Sequence, residues 1–137
     1  MLRGMATTTY YADDLAAAEN WYGDLLGIEP YYRVPGGYIE FRIGDHLDEL
    51  GIVNRAYAPP SARNAPGAGG IVYWHVDDLD ATFARLLAMG ATEYQPITAH
   101  GDGEGFVTAS VIDPFGNILG IMTNPHYLEV VAKTGAV

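Results

Sequence analysis

The chain has 137 residues, long enough for one domain with a sizeable core, and its 49% hydrophobic content argues against disorder. Seven basic against 17 acidic residues give a net charge of −10, which repels nucleic-acid phosphates and anionic membranes. There is no cysteine, hence no disulfide, thiol nucleophile or thiolate metal site, and no apolar run approaches the roughly 18 residues of a membrane span. With no apolar signal segment at the start, a soluble, cytoplasmic protein is expected, binding neither nucleic acid nor membrane. The charge serves solubility first; attraction of cationic ligands is the other reading.

Residues 6–12 alternate, Thr7, Thr9 and Tyr11 against Thr8, Tyr10 and Ala12, which predicts a strand. Asp13 or Asp14 caps a helix on which Leu15, Ala18, Tyr22 and Leu25 recur at helical spacing, widened by Trp21 and Leu26, and Gly27 ends it. An irregular strand over 30–34, a turn at Pro35-Gly36-Gly37, a strand over 38–43, a turn at Gly44-Asp45 and a strand over 49–53 follow. Residues 57–70, with Pro59-Pro60 and Pro66, have no apolar period and read as a linker. The order then returns: a strand over 71–76, a helix capped by Asp77 or Asp78 with Leu79, Phe83 and Leu86 on one face and Gly90 closing it, and strands over 93–98, 106–112 and 118–123. The last two strands flank a turn at Asp113-Pro114-Phe115-Gly116-Asn117. From Asn124 the chain is expected to dock as an extra turn or to fray.

The return is also literal. Tyr11-Ala12-Asp13-Asp14-Leu15 comes back as His75-Val76-Asp77-Asp78-Leu79 (11 to 75), and Leu50-Gly51-Ile52 as Leu119-Gly120-Ile121 (50 to 119). Two copies of one supersecondary unit imply one domain, 1–137, made of module 1 (5–56), a linker (57–70), module 2 (71–125) and a tail (126–137), with one site enclosed between the copies.

Strand parity divides the side chains. If Tyr10, Ala12, Ile39, Phe41, Leu50, Ile52, Val72, Trp74, Val107, Ala109, Leu119 and Ile121 pack under the helices, their neighbours face the other way. That set is Thr7, Thr9, Tyr11, Tyr38, Glu40, Arg42, Glu49, Gly51, Val53, Ile71, Tyr73, His75, Phe106, Thr108, Ser110, Ile118, Gly120 and Met122, an aromatic and hydroxyl wall with a few charges.

Asp14-Leu15 with Trp21-Tyr22 and Leu26-Gly27, then Val76-Asp77-Asp78-Leu79 with Met89-Gly90-Ala91, then Asp113-Pro114-Phe115-Gly116-Asn117, occur in an order and spacing that resemble the vicinal oxygen chelate superfamily of glyoxalase I, extradiol dioxygenases, fosfomycin-modifying enzymes and bleomycin resistance proteins. The resemblance covers residues 5–125. It implies an α+β fold in which two βαβββ modules form an incompletely closed eight-stranded barrel, a cup around one site built within one chain or between two, and a homodimer that covers exposed strand edges. In metal-dependent members the ligands are histidines opening the first strand of each module and carboxylates in the last. Carried over by spacing, these positions are Thr7, Ile71, Gly51 and Gly120. A divalent ion needs three or four nitrogen or oxygen donors within roughly 2.0–2.6 Å, so no metal or other cofactor is expected; a register shift bringing Glu49 to the Gly51 position would restore one ligand.

The candidate ligand-binding residues are accordingly Tyr11, Tyr38, Glu40, Arg42, Glu49, Tyr73, His75, Phe106, Thr108 and Met122. His75, aimed at the wall, can serve as general base or simply as a hydrogen-bonded wall residue, whereas His46, His100 and His126 read as solvated loop residues. Among Glu40, Arg42 and Glu49, an Arg42 ion pair with one carboxylate is the plain reading, and Glu49 freed as a base is the functional one. Trp21 and Trp74 read as core. Gly101-Asp102-Gly103-Glu104-Gly105 lacks the endings of a phosphate or calcium loop and reads as a mobile lid or an ordinary hairpin loop. Two function classes stand. One is a metal-free binder similar to the bleomycin resistance branch, sequestering an aromatic or cationic small molecule, as in antibiotic resistance. The other is an enzyme, a metal-independent isomerase or lyase using His75 or Glu49, or less favourably a metal-dependent glyoxalase or dioxygenase.

Overall fold

A computed structural model describes residues 1, 3, 5–58, 71–101 and 105–135. Most of the expected linker and the centre of the expected lid, residues 59–70 and 102–104, lie outside the described residues. The chain divides into two compact units, Met1–Pro66 and Gly67–Val137.

The first unit runs β1 (Thr7–Ala12), α1 (Leu15–Leu26), β2 (Tyr32–Val34), β3 (Tyr38–Ile43), β4 (Asp48–Asn54) and a short 3-10 turn, Arg55–Tyr57. The second runs β5 (Tyr73–His75), α2 (Leu79–Ala88), β6 (Thr92–His100), β7 (Phe106–Ile112), β8 (Ile118–Thr123) and α3 (Pro125–Thr134). The fold is α+β, and its eight strands form two separate four-stranded sheets, ordered β1-β4-β3-β2 and β5-β8-β7-β6, not a closed barrel. In each sheet the first strand lies parallel to the last, and the remaining pairs are antiparallel.

The helix starts are alike in both copies. Asp14 Oδ1 accepts from the Ala17 N–H and Asp78 Oδ1 from the Ala81 N–H, each at 3.0 Å, so the second aspartate of each pair is the cap. Gly27 at φ 69° and Gly90 at φ 98° end the helices in the left-handed conformation. In the first unit Tyr10, Ala12, Ile39, Phe41, Leu50 and Ile52 are buried together with Ala18 and Tyr22 of α1, and the Tyr10 and Tyr22 rings lie 6.0 Å apart. In the second unit Leu79, Phe83 and Leu86 of α2 are buried, as are Ala109, Val111, Leu119 and Ile121 of the sheet. Burial of each of the leucine, isoleucine, valine and phenylalanine side chains among these stabilises by about 1.5–3 kcal/mol.

Four expectations need correction. β5 starts at Tyr73, so Val72 precedes the strand and is exposed, while Trp74 and Val107 are only half-buried. β2 is confined to three residues beyond Pro30 and Tyr31, since proline has no N–H to give a ladder. β6 is longer than expected and accommodates Pro96 because it is an edge strand with register shifts at Glu93/Gln95 and Gln95/Thr98, so His100 belongs to a strand end. The tail is neither a single turn nor frayed but a ten-residue helix carrying His126. Asn124 caps it through the His126 N–H at 3.0 Å and Pro125 supplies a first residue already fixed near helical φ.

Candidate functional site

The sheet face opposite α1 carries the charged candidates. Registers Arg42↔Glu49↔Thr7 and Glu40↔Gly51↔Thr9 put these side chains in adjacent ladders, with Tyr38↔Val53↔Tyr11 next. Glu40, 8% exposed, accepts the Tyr38 hydroxyl at 2.5 Å on Oε1 and the Tyr31 hydroxyl, at very short range, on Oε2. Glu49 accepts the Thr7 hydroxyl at 2.8 Å and pairs with Arg42 Nη2 at 3.4 Å, the ion pair expected for charges sharing one sheet face. Tyr31 joins the two groups, its hydroxyl also lying 3.3 Å from Glu49 and its ring under the Arg42 guanidinium, 4.5 Å from centroid to Cζ.

The hydrogen bond to Glu40, with loss of solvent, pushes the Tyr31 phenol up from 10.0 to about 12. Burial first, and then the same carboxylate, raises the Tyr38 phenol well above its ordinary value. Both phenols are therefore donors throughout the physiological range, and the face is a set of fixed O–H dipoles around two carboxylates and one guanidinium.

The corresponding face of the second unit is neutral. Ser110 is fully buried and donates to Gln95 Oε1 at 2.9 Å, which also accepts the Tyr73 hydroxyl at 3.1 Å. Thr108 Oγ1 lies 2.7 Å from His100 Nε2. His75 Nδ1 accepts the Asn124 N–H at 3.1 Å, its ring stacks on Tyr127 at 4.9 Å and 12°, and its Nε2 is 3.7 Å from Asp77 Oδ1. In the neutral ring the Nδ1 lone pair is the one that accepts, so the imidazole fastens the start of α3. Phe106 lies beside His126 at 5.6 Å, and Met122 Sδ is 3.8 Å from Asn124 Nδ2.

The positions that carry carboxylate ligands in metal-dependent relatives are closed by tyrosines. A Cβ on Gly51 would meet Tyr38 Cε1 at 2.7 Å, and one on Gly120 would meet Tyr73 Cδ1 at 2.7 Å, Ile71 Cγ2 at 2.9 Å and the Val72 carbonyl oxygen at 2.9 Å. Thr7, the one oxygen donor of the four positions, is engaged by Glu49. Among the described residues no three His, Cys, Asp or Glu side chains converge on one point. The residues present therefore do not fit the metal of the fold family.

The structure brings Tyr38, Glu40, Arg42 and Glu49 together in one unit, whereas in the other Tyr73, Thr108 and His75 go to separate partners, Gln95, His100 and Asn124; Tyr11 sits half-buried near the end of β1. Sequence reasoning passed over Tyr31 and Gln95, which tie these groups together. Both lie outside clean alternation, Tyr31 before β2 and Gln95 between two register shifts, so parity could not aim them. The available signal was tyrosine itself, doubled after Pro30, in a segment with no apolar partner to bury.

No helix among the described residues is long and apolar enough to cross a membrane. Among curated proteins none matches the chain as a relative. Solved structures do. A protein from Agrobacterium tumefaciens determined by solution NMR is 26% identical, with 89% of this chain and 98% of that one covered at a TM-score of 0.73. A glyoxalase-related enzyme from Fulvimarina pelagi is 23% identical, with 90% of each chain covered and a TM-score of 0.71. A bleomycin resistance determinant encoded on transposon Tn5 is 23% identical, with 89% and 98% covered and a TM-score of 0.59. The family model of the Glyoxalase/Bleomycin resistance protein/Dioxygenase superfamily matches residues 4–121, and with the paired βαβββ units and the glycine-centred last strands this chain belongs to that superfamily.

Proposed function

We propose that this chain is a metal-free, cytoplasmic small-molecule-binding member of its superfamily, holding an aromatic or cationic compound stoichiometrically, as a resistance protein would. The observation that carries this reading is the seating of Tyr38 on Gly51 and Tyr73 on Gly120. Phenol rings occupy the places where a metalloenzyme of this fold presents carboxylates, so contact area and hydroxyl donors replace a Lewis-acid site. The acidic balance of the whole chain and the carboxylates of the first unit favour a cation over an anion. In the first unit Tyr11 and Tyr38 supply aromatic and hydroxyl contacts beside the polar Glu40, Arg42 and Glu49; in the second, Tyr73, Phe106, Thr108 and Met122 supply apolar and hydroxyl contacts. His75 serves as a wall residue, its ring stacked on Tyr127 and its Nδ1 accepting the Asn124 N–H.

A homodimer fits the same reading. β2 and β6 are edge strands carrying exposed Tyr32, Val34, Tyr94 and Ile97, and pairing covers such edges. Sedimentation equilibrium should then give about twice the 14.8 kDa chain mass.

The test is a thermal-shift screen of aromatic and cationic compounds on chelator-free protein, with elemental analysis of the same preparation. A binder at ~100 times its dissociation constant stabilises by about 2.7 kcal/mol. One tightly held transition-metal equivalent per chain, or a screen in which no compound shifts the melting point, would sink the proposal.

A further inference from the structure

We propose that Arg42 is a built-in occupant of a cation site in the first unit, and that the ligand is an amidinium- or guanidinium-type cation that displaces it. This rests on the binder reading above and narrows it to one chemistry and one subsite.

Arg42 already shows what the subsite accepts. Its guanidinium lies 4.5 Å over the Tyr31 ring, with Nη2 at 3.4 Å from both the Tyr31 hydroxyl and Glu49 Oε1. Those contacts are long, and the side chain is 46% exposed. Two other arginines of the unit, Arg33 and Arg55, are held differently. Arg33 Nε is 2.6 Å from Glu19 with a second carboxylate, Glu29, at 3.3 Å, and Arg55, 12% exposed, has Nε 3.1 Å from Asp13. Compared with Arg33 and Arg55, Arg42 is loosely seated, over an aromatic face, beside Glu49 and close to the Tyr31 hydroxyl that Glu40 also holds.

Electrostatics keeps the place attractive after Arg42 leaves. Glu40 and Glu49 are both within reach of the Tyr31 hydroxyl, so removing the guanidinium leaves two carboxylates beside an open π face. A planar cation on an aromatic body reproduces the Arg42 contacts and adds its own stacking against Tyr31 or the exposed Tyr32, whose rings are 6.5 Å apart. Arg42 then swings into water, where its charge is fully solvated and its side chain regains rotamer freedom.

Benzamidine is the probe, with neutral benzamide as its isostere, titrated by NMR against the natural protein and variants whose melting points verify folding. Arg42→Ala should bind benzamidine about three- to tenfold more tightly than the natural protein, because an exposed cation–π contact and an exposed ion pair no longer compete. Arg33→Ala alters the net charge equally but leaves Tyr31 covered, and should change affinity by less than about twofold. Adding Tyr31→Leu to Arg42→Ala should erase the gain, and benzamide should be indifferent to Arg42. The inference is overturned if Arg42→Ala binds benzamidine no more tightly, if Arg33→Ala gives the same gain, or if benzamidine binds none of these proteins. Should neutral aromatics bind regardless of Arg42, the subsite falls while the binder reading stands; a broad screen without any ligand removes both.

Discussion

The two units solve one problem with different chemistry. In the first, the ladder across the sheet reads Thr9, Gly51, Glu40, Tyr32; in the second, the same ladder reads Tyr73, Gly120, Ser110, Gln95. Both place a glycine at the centre and an aromatic ring upon it, yet the ring comes from β3 in one copy and from β5 in the other. The buried polar group beside the glycine is a carboxylate held by two phenols in the first unit and a serine held by a carboxamide in the second. Duplication thus fixed where a ring and a polar group must stand, because a sheet face with a central glycine needs something large to fill it and something polar to orient the filler. It did not fix the charge. One unit carries a charged cluster and the other a neutral one.

The largest expected effect tests the glycines. The atoms nearest an added methyl on Gly51 all belong to the Tyr38 side chain, which can rotate, whereas on Gly120 they include the Val72 carbonyl, part of the backbone. Gly120→Ala should therefore cost about 3 kcal/mol and Gly51→Ala about 1 kcal/mol, read as shifts of the urea midpoint. Equal costs would mean that the two cradles are mechanically the same and the asymmetry is only chemical.

Next is His75, which has no counterpart in the first unit because Tyr11 holds the equivalent ladder position. His75→Ala should cost about 2 kcal/mol, from an unsatisfied Asn124 N–H and a lost ring stack. Hydrogen exchange should quicken in the first turns of α3 and stay unchanged in α2. Unchanged exchange in α3 would show that Val131 and the cap hold that helix without the imidazole.

Ser110→Ala should cost about 1 kcal/mol, the usual worth of a neutral hydrogen bond, and release Gln95 to Tyr73 alone. A cost as large as that of Gly120→Ala would mean that the neutral network carries as much of its unit as the glycine cradle does.

The smallest effect lies at high pH. A phenol is charged when deprotonated, so between 10.0 and about 12 the unfolded chain has lost the Tyr31 proton while the native protein keeps it. The stabilisation from the Tyr31–Glu40 bond is therefore complete below pH 10 and disappears as pH rises through about 12. Ultraviolet titration should show late-ionising phenols, one of them absent from Tyr31→Phe. A curve unaltered by that substitution would detach Tyr31 from Glu40.

Much of the frame was legible before any coordinates. Helix caps at Asp14 and Asp78, stops at Gly27 and Gly90, and the strands over 38–43, 106–112 and 118–123 follow from side-chain period and turn residues, which depend on near neighbours along the chain. The β3 alternation aimed Tyr38, Glu40 and Arg42 at one face, and the glycines marked positions without donors. α3 was within reach as well, since Asn124-Pro125 is a cap followed by a first-turn proline.

Sequence by itself determined the duplication, the α+β class, the lack of histidine and carboxylate at the ligand positions and which β3 residues share a face, because each depends on residue type and on patterns along the chain. Only the tertiary structure decided that Tyr31 reaches Glu40 and Arg42, that Gln95 bridges Tyr73 and Ser110, and that His75 spends its lone pair on Asn124. Those contacts join irregular segments to distant strands. Their formation depends on register shifts and ring packing in three dimensions, which no pattern of period two or 3.6 records.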